Sequence, residues 1–192
     1  MQMSYSNRTL KRLRTPACLV AAGLCLALST TAESIPEPRF TAKNELIRPE
    51  GYREWVFVGA SLGMSYDEES GKQSHSRFHN VYLHPDAYEH FKKTGGFPEK
   101  TILAMEVFTP GSQESINRQG SFEDRSVGLE AAVKDSSRFD ESWAYFSFSE
   151  SESKLAPTAT AFAKDRCWSC HDEHAANGNV FTQFYPVLRK AP

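Results

Sequence analysis

Alternating apolar and polar residues predict a chain built mostly of β-strands. Aromatic and β-branched residues recur in five short segments bounded by polar or Gly-containing stretches, which is the pattern of strands: 52–60, 77–83, 101–108, 127–133 and 143–148. In the third segment, Leu103 and Met105 point to one face, and Ala104 and Glu106 point to the other. Such alternation predicts that each strand has two faces with different surroundings.

Two helices interrupt or follow these strands. The first is predicted to begin at Pro85 and to end near Gly95, because proline suits the first helical position and glycine suits the position after the last turn. The second is predicted from Leu155 to His171, after Pro157. The remaining segments are predicted as a surface arm and two loops: 33–50, 63–76 and 109–126. The sequence therefore predicts an α+β fold, which is mainly an antiparallel β-sheet with a short helix and a C-terminal helix.

The first 32 residues have the features of an export signal. Four basic residues precede an apolar run from Ala17 to Leu28, which is too short to cross a bilayer. Small residues at 30–32 suit a cleavage site. We therefore predict a signal peptide over 1–32, a single domain over 33–192 and a periplasmic location. An uncleaved membrane anchor is the less favoured alternative, and we expect no stable membrane association.

Removal of the signal changes the charge and the cysteine content. Four of the 22 basic residues lie in it, so 18 basic and 24 acidic residues remain and the net charge becomes −6. This charge argues against nucleic-acid binding, which favours basic surfaces. Two of the four cysteines, Cys18 and Cys25, also leave with the signal. Only Cys167 and Cys170 remain.

The remaining cysteines belong to a short motif with specific chemistry. The segment from Cys167 to His171 reads C-W-S-C-H, which is the C-x-x-C-H attachment signature of a c-type haem. Two thiols form thioethers with the porphyrin, and the adjacent imidazole binds the iron. The alternatives are a redox dithiol and half of a zinc site, but zinc needs two further ligands and only His174 lies nearby. The motif therefore favours one covalent haem c, carried by the C-terminal helix.

The position of the motif predicts an iron that is open on one side. Only 21 residues follow His171, and none of them is a methionine that could bind the opposite face. His174 is too close to His171 to reach that face. Farther upstream, the candidate ligands are Met64, Met105, His75, His79, His84 and His90. We interpret His75, His84 and His90 as surface or hydrogen-bonding residues, and we expect His171 to be the proximal ligand of a five-coordinate iron that binds small molecules.

Several stretches of the chain resemble a known family. The chain is similar to the cytochrome c′-β and cytochrome P-460 superfamily in these segments: 52–59, 81–88, 92–95, 128–135, 167–171 and 180–186. The resemblance implies a largely antiparallel β-fold, a homodimer, a periplasmic location and one c-type haem with an open distal site.

The same resemblance bears on function through one position. In one branch of the superfamily, a lysine is linked to the porphyrin and the proteins oxidise hydroxylamine; in the other, the link is absent and the proteins bind nitric oxide. The alignment gives Met105 the position of the linking lysine, and Lys100 and Lys134 do not match it. A thioether lacks the amine nitrogen for the link, so the chain resembles the branch without it. Met105 then packs against the haem edge or in an ordinary core, and iron ligation by it is the less favoured reading.

The resemblance also names two candidate residues for the distal pocket. His79 aligns with a polar distal residue, and Phe78 is its neighbour on the same strand. Because neighbours on a strand point to opposite faces, at most one of the two faces the haem. His79 would supply a distal acid or base, whereas Phe78 would supply an aromatic wall.

These features predict a cytochrome that binds or processes nitric oxide or similar small ligands and exchanges electrons with a redox partner. Three further activities are alternatives. The first is peroxidase-like chemistry that forms a ferryl haem with the help of His79. The second is hydroxylamine oxidation, which Met105 disfavours. The third is simple electron transfer, which would require a strong sixth ligand.

Overall fold

A computed structural model describes residues 37–64, 76–151 and 154–189. The strands are β1 (Leu46–Ile47), β2 (Val56–Leu62), β3 (Phe78–Leu83), β4 (Ile102–Gly111), β5 (Phe122–Lys134), β6 (Trp143–Ser147), β7 (Ser149–Ser151), β8 (Lys154–Leu155) and β9 (Thr158–Ala159). The helices are α1 (Pro85–Thr94) and α2 (Trp168–His174), with 3₁₀ turns at Tyr52–Glu54 and Thr182–Phe184. The predicted signal peptide and His75 lie outside the described residues.

The centre of the structure is a five-stranded antiparallel sheet in the order β2-β3-β4-β5-β6. Two short two-stranded ladders, β1 with β9 and β7 with β8, accompany it. The mostly antiparallel strands and two short helices confirm the predicted α+β class. Among the described residues, no helix has the length and apolar character needed to cross a membrane.

Helix α1 begins and ends where the sequence predicted. Pro85 is its first residue, and the side chain of His84 accepts a hydrogen bond from the backbone N–H of Asp86 at 3.3 Å. Gly95 ends the helix with a φ of 74° and donates its N–H to the carbonyl of Phe91. A residue with a side chain would be strained at this φ, so glycine provides the stop.

The first predicted strand starts later than the sequence suggested. Residues Tyr52–Glu54 form a 3₁₀ turn, and Gly51 precedes them in the left-handed conformation at φ 66°. The turn directs two donors at one buried carboxylate: the Tyr52 hydroxyl lies 2.8 Å and the Arg53 Nε 2.9 Å from Oε1 of Glu106. Glu106 is only 2 % exposed, so these hydrogen bonds offset the cost of burying its charge.

The predicted helix from Leu155 to His171 is wrong over most of its length. Pro157 disfavours helical backbone in the residue before it, and Thr158 is β-branched and suits a strand. Residues 154–159 therefore form β8 and β9, and the helix begins only at Trp168. The predicted surface arm is also wrong at Leu46, which is fully buried and pairs with Ala159.

The two faces of the central sheet have different surroundings. One face packs beneath β1 and β9 in a core that contains Leu46, Ile102, Ala104, Leu129, Ala131, Val133, Phe146 and Ala159. The other face carries Leu103 and Met105 and packs against α1 and the C-terminal segment. This division confirms the alternation predicted for β4, and it gives the C-terminal motif a sheet face to lie on.

Candidate haem-binding site

A cavity of about 350 Å³ lies between the central sheet and the C-terminal segment. The sheet contributes His79 and Val81 from β3, Leu103 and Met105 from β4, Glu130, Ala131 and Ala132 from β5, and Tyr145 and Phe146 from β6. The C-terminal segment contributes Phe162, Arg166, Cys167, Cys170, His171, Asn179, Val180, Phe181 and Tyr185. The C-x-x-C-H motif therefore faces strand residues that are far from it in sequence.

The two cysteines of the motif lie at the start of α2. Cys167 precedes the helix and Cys170 follows three residues later, so their side chains lie about one helical turn apart. Both are free thiols and half-buried. Burial, together with the nearby Glu130 carboxylate, raises the pKa of the Cys167 thiol. A catalytic dithiol needs a lowered pKa instead, so this environment argues against the redox-dithiol alternative.

His171 is held as a neutral imidazole with one nitrogen available. Its Nδ1 lies 2.8 Å from the backbone carbonyl oxygen of Asn179, so Nδ1–H donates to that carbonyl and the Nε2 lone pair is left to a metal. Burial lowers the pKa of His171, which keeps the ring uncharged at neutral pH. Its ring centroid lies 4.2 Å from that of Tyr145 and 4.5 Å from that of Phe181. These contacts fix the plane of a ligand imidazole.

His79 lies at the other end of the cavity. Adjacent strands are about 4.8 Å apart, so His79 on β3 lies roughly 14 Å across the sheet from Tyr145 on β6. Its Nδ1 is 3.4 Å from the Ser61 hydroxyl oxygen. Burial, reinforced by the Arg77 charge, lowers the pKa of His79. A neutral imidazole therefore lines the cavity from β3, whereas His171 lines it from α2.

Of the two candidate distal residues, only His79 lines the cavity. Phe78 pairs with Phe108 and points to the opposite face of the sheet, as strand alternation requires. Phe78 therefore does not contribute an aromatic wall to this cavity.

Met105 lines the cavity from β4, beside the strand that carries His79. It pairs with Val81 on β3 and with Glu130 on β5, so all three side chains lie on the same face of the sheet. It is half-buried and packs at the edge of the apolar cluster that also holds Leu103 and Cys167. Its thioether therefore contributes to an apolar wall.

Among the histidines that the structure describes, His84, His90 and His174 do not line this cavity. His84 is buried at the start of α1, where its ring centroid lies 5.4 Å from that of Trp55. His90 is exposed on α1, and His174 is exposed at the end of α2. His84 and His90 thus have the structural or surface roles that the sequence suggested.

Sequence reasoning did not identify three cavity residues: Glu130, Tyr145 and Asn179. Burial raises the pKa of the Glu130 carboxyl, and the Arg166 charge partly opposes this rise. Glu130 was one alternating position of the fourth predicted strand, and no motif distinguished it. Tyr145 acts through its hydroxyl and Asn179 through its backbone carbonyl, and no sequence pattern marks either group.

The residues that meet in this cavity fit a haem. Two thiols one turn apart, a neutral imidazole with an available Nε2 and a largely apolar wall are the groups that a haem c requires. When bound, such a group supplies an iron centre that binds small ligands and exchanges electrons.

Comparison with known proteins gives a family for the chain. No curated protein matches it. The family model for cytochrome P460 matches residues 49–182, which include all five strands of the central sheet and the whole C-x-x-C-H motif. The chain therefore belongs to the cytochrome P460 family, and membership implies a haem cofactor.

Proposed function

We propose that the protein is a mono-haem c-type cytochrome that binds nitric oxide or a similar small ligand at an open iron site. Cys167 and Cys170 would hold the porphyrin, and His171 would bind the iron on its proximal side. One observation carries this proposal: the thiols and the neutral imidazole of His171 line one end of a cavity whose other end is lined by Val81, Met105 and His79.

The apolar residues at the far end of the cavity favour nitric oxide among small ligands. Val81 is 4 % exposed and Met105 is half-buried, so the wall beside the open side of the iron is largely apolar. Nitric oxide is small and neutral, and it binds iron without needing strong hydrogen-bond donors. The lowered pKa of His79 keeps its own imidazole uncharged at neutral pH. These features support a gas-binding pocket.

The contacts of two lysines support the branch of the family without a haem–lysine link. Lys100 forms an ion pair with Asp135, and the Nζ of Lys134 donates to the carbonyl of Phe97 at 2.7 Å. Neither lysine lines the cavity. Met105 lies on β4 opposite Glu130, at the position that the resemblance gives to the linking lysine, and it has no amine. We therefore propose that the porphyrin carries no link to β4.

The test is the absorption spectrum of the reduced protein with and without nitric oxide. We expect an ordinary c-haem spectrum that is high-spin when reduced, and a new spectrum that saturates at one nitric oxide per haem. The Met105→Leu variant should give the same two spectra, because we propose that Met105 packs on the haem and does not bind iron. A low-spin reduced wild type that becomes high-spin in Met105→Leu would contradict the open site, and a strongly red-shifted reduced band would contradict the absence of a link.

A second candidate function is a reaction with hydrogen peroxide, and the position of His79 favours it. Its neutral imidazole faces the cavity and can move a proton for a ligand on the open side. We expect His79→Leu to slow the reaction with peroxide by about 10²-fold or more, the usual contribution of a general acid–base group. Stopped-flow mixing of the ferric protein with peroxide measures this rate.

The pH profile and a control variant sharpen this test. Because the pKa of His79 is lowered, the imidazole is neutral at pH 7 and becomes charged only in more acid solution. The rate should therefore be constant around pH 7 and fall as the pH drops below the ordinary histidine range. His90→Leu, on the exposed side of α1, should react like the wild type. Equal rates in His79→Leu and His90→Leu would remove the peroxidase candidate.

The cellular setting is also a proposal. We propose export to the periplasm on the basis of the signal-like residues 1–32, and a homodimer on the basis of the family resemblance. Cell fractionation and light scattering of the purified protein test these two points.

A further inference from the structure

Two donors share one backbone carbonyl behind the proposed proximal ligand. The carbonyl oxygen of Asn179 lies 2.8 Å from Nδ1 of His171 and 2.9 Å from the hydroxyl oxygen of Tyr145. Both are side-chain donors, and their rings are in contact at a centroid distance of 4.2 Å. The hydrogen bond that orients His171 therefore has a competitor on the same acceptor.

The local backbone holds this carbonyl in position. Gly178 and Asn179 are both left-handed, with φ of 49° and 62°, and they form a tight turn between Asn177 and Val180. The N–H of Val180 donates to the carbonyl of Asn177 at 2.9 Å and closes the turn. Glycine and asparagine are the residues that tolerate this conformation best. The turn thus presents the Asn179 carbonyl to the two rings.

Strand pairing and a backbone hydrogen bond also hold Tyr145 in position. It lies on β6, where it pairs with Ala132, and its own carbonyl accepts the N–H of Phe162 at 2.9 Å. The side chain is buried, and its hydroxyl is the donor in the hydrogen bond to Asn179 because a backbone carbonyl can only accept. The phenol lies outside the C-x-x-C-H motif, and its ring packs directly on that of His171.

We propose that Tyr145 is a positioning residue that weakens the electron donation of His171 to the iron by competing for the Asn179 carbonyl. This inference rests on the proposed function, because it requires His171 to be the iron ligand.

The physical reason lies in the shared acceptor. A hydrogen bond from Tyr145 withdraws electron density from the carbonyl oxygen, so the oxygen polarises the Nδ1–H of His171 less. A less polarised imidazole has less imidazolate character and is a weaker donor to iron. Weaker donation favours the ferrous state, which is the state that binds nitric oxide in the proposed function. Tyr145 would thus adjust the iron without touching it.

The test is the Tyr145→Phe variant, which removes the hydroxyl and keeps the ring. We expect the iron–histidine stretching frequency of the reduced protein, measured by resonance Raman spectroscopy, to rise. At a fixed ambient potential, the ratio of reduced to oxidised protein should fall about fivefold, the effect expected for altering one hydrogen bond. Tyr82→Phe is the matched control, because its hydroxyl bonds Glu106 at 3.3 Å on the opposite face of the sheet. It should leave both quantities unchanged.

Two further variants test whether the Asn179 carbonyl, and not another group, carries the effect of Tyr145 on His171. Asn179→Gly keeps the left-handed backbone and the carbonyl, so it should match the wild type in frequency and in ratio. Replacement of Tyr145 by 3-fluorotyrosine makes the hydroxyl a stronger donor, so it should shift both quantities in the direction opposite to Tyr145→Phe. This second change retains the hydroxyl and tests the inference even where Tyr145→Phe fails to fold.

The outcomes distinguish this inference from the proposed function. A reduced wild type without an iron–histidine band would overturn both. A wild type with that band, and Tyr145 variants that do not move it, would overturn the role of Tyr145 alone. A shift in Asn179→Gly as large as that in Tyr145→Phe would also overturn it, because the side chain of Asn179 would then be the active group.

Discussion

A variant in which Cys167 and Cys170 are both replaced by alanine is expected to lose its haem on extraction with acidified acetone, whereas the wild-type protein keeps it. Both thiols line the cavity one helical turn apart, and neither is engaged in a disulfide, so both are available to form thioether bonds to the porphyrin. With both sulfurs removed, only coordination and packing retain the porphyrin. The measurement is the absorbance of the extracted pigment against that of the precipitated protein.

Control variants at the same turn make the test specific. Ser169→Ala changes an exposed side chain between the two cysteines and should keep all of the haem with the polypeptide. Each single cysteine variant should keep it through the remaining thioether. The absorption bands of the two single variants should move toward longer wavelength, because one vinyl group stays unsaturated. A wild-type protein whose pigment is fully extracted would contradict covalent attachment.

The predictions that succeeded depended on strong local signals. Helix α1 has proline at its first position and a left-handed glycine at its end, and both features act within a few residues. Alternation along β4 assigned Leu103 and Ala104 to opposite faces because a strand has a period of two. The C-x-x-C-H motif identified three cavity residues because its chemistry is confined to five consecutive positions.

The predictions that failed were decided by partners far along the chain. Pro157 and Thr158 disfavour a helix at residues 154–159, but they do not specify the partner of β9, which is β1, more than a hundred residues earlier. The start of β2 gives way to a turn because Tyr52 and Arg53 donate to Glu106, which lies on β4. No local pattern specifies these pairings, so periodicity alone could not find them.

The candidate site also combines residues that local signals predict with residues that only long-range pairing brings together. The proximal residues are adjacent in sequence and could be predicted, whereas the rest of the cavity is assembled from β3, β4, β5 and β6. His79 and Met105 were two of six upstream candidates for iron ligation, and only the family resemblance assigned them positions beside the haem. Glu130 and Tyr145 are cavity residues because strand pairing sets them opposite Met105 and Ala132. Sheet register, and not sequence distance, therefore determines which residues meet the motif.

Replacement of His171 by glycine should remove the iron–histidine bond while leaving the haem attached. Glycine leaves a space between the rings of Tyr145 and Phe181, which lie 4.2 Å and 4.5 Å from the wild-type imidazole. The carbonyl of Asn179 keeps its hydrogen bond from Tyr145, so the turn behind the ligand retains a partner. We expect the iron–histidine Raman band of the reduced protein to disappear and to return when free imidazole fills the space.

The His174→Gly variant is the matched control, because both histidines lie in α2 and glycine has a lower helix propensity than histidine at either position. His174 is exposed and does not line the cavity, so its loss should leave the Raman band in place. A band that persists in His171→Gly without added imidazole would mean that another residue binds the iron. Loss of the band in both variants would mean that weakening of α2, and not removal of a ligand, is responsible. Only a loss confined to His171→Gly and reversed by imidazole identifies this imidazole as the proximal ligand.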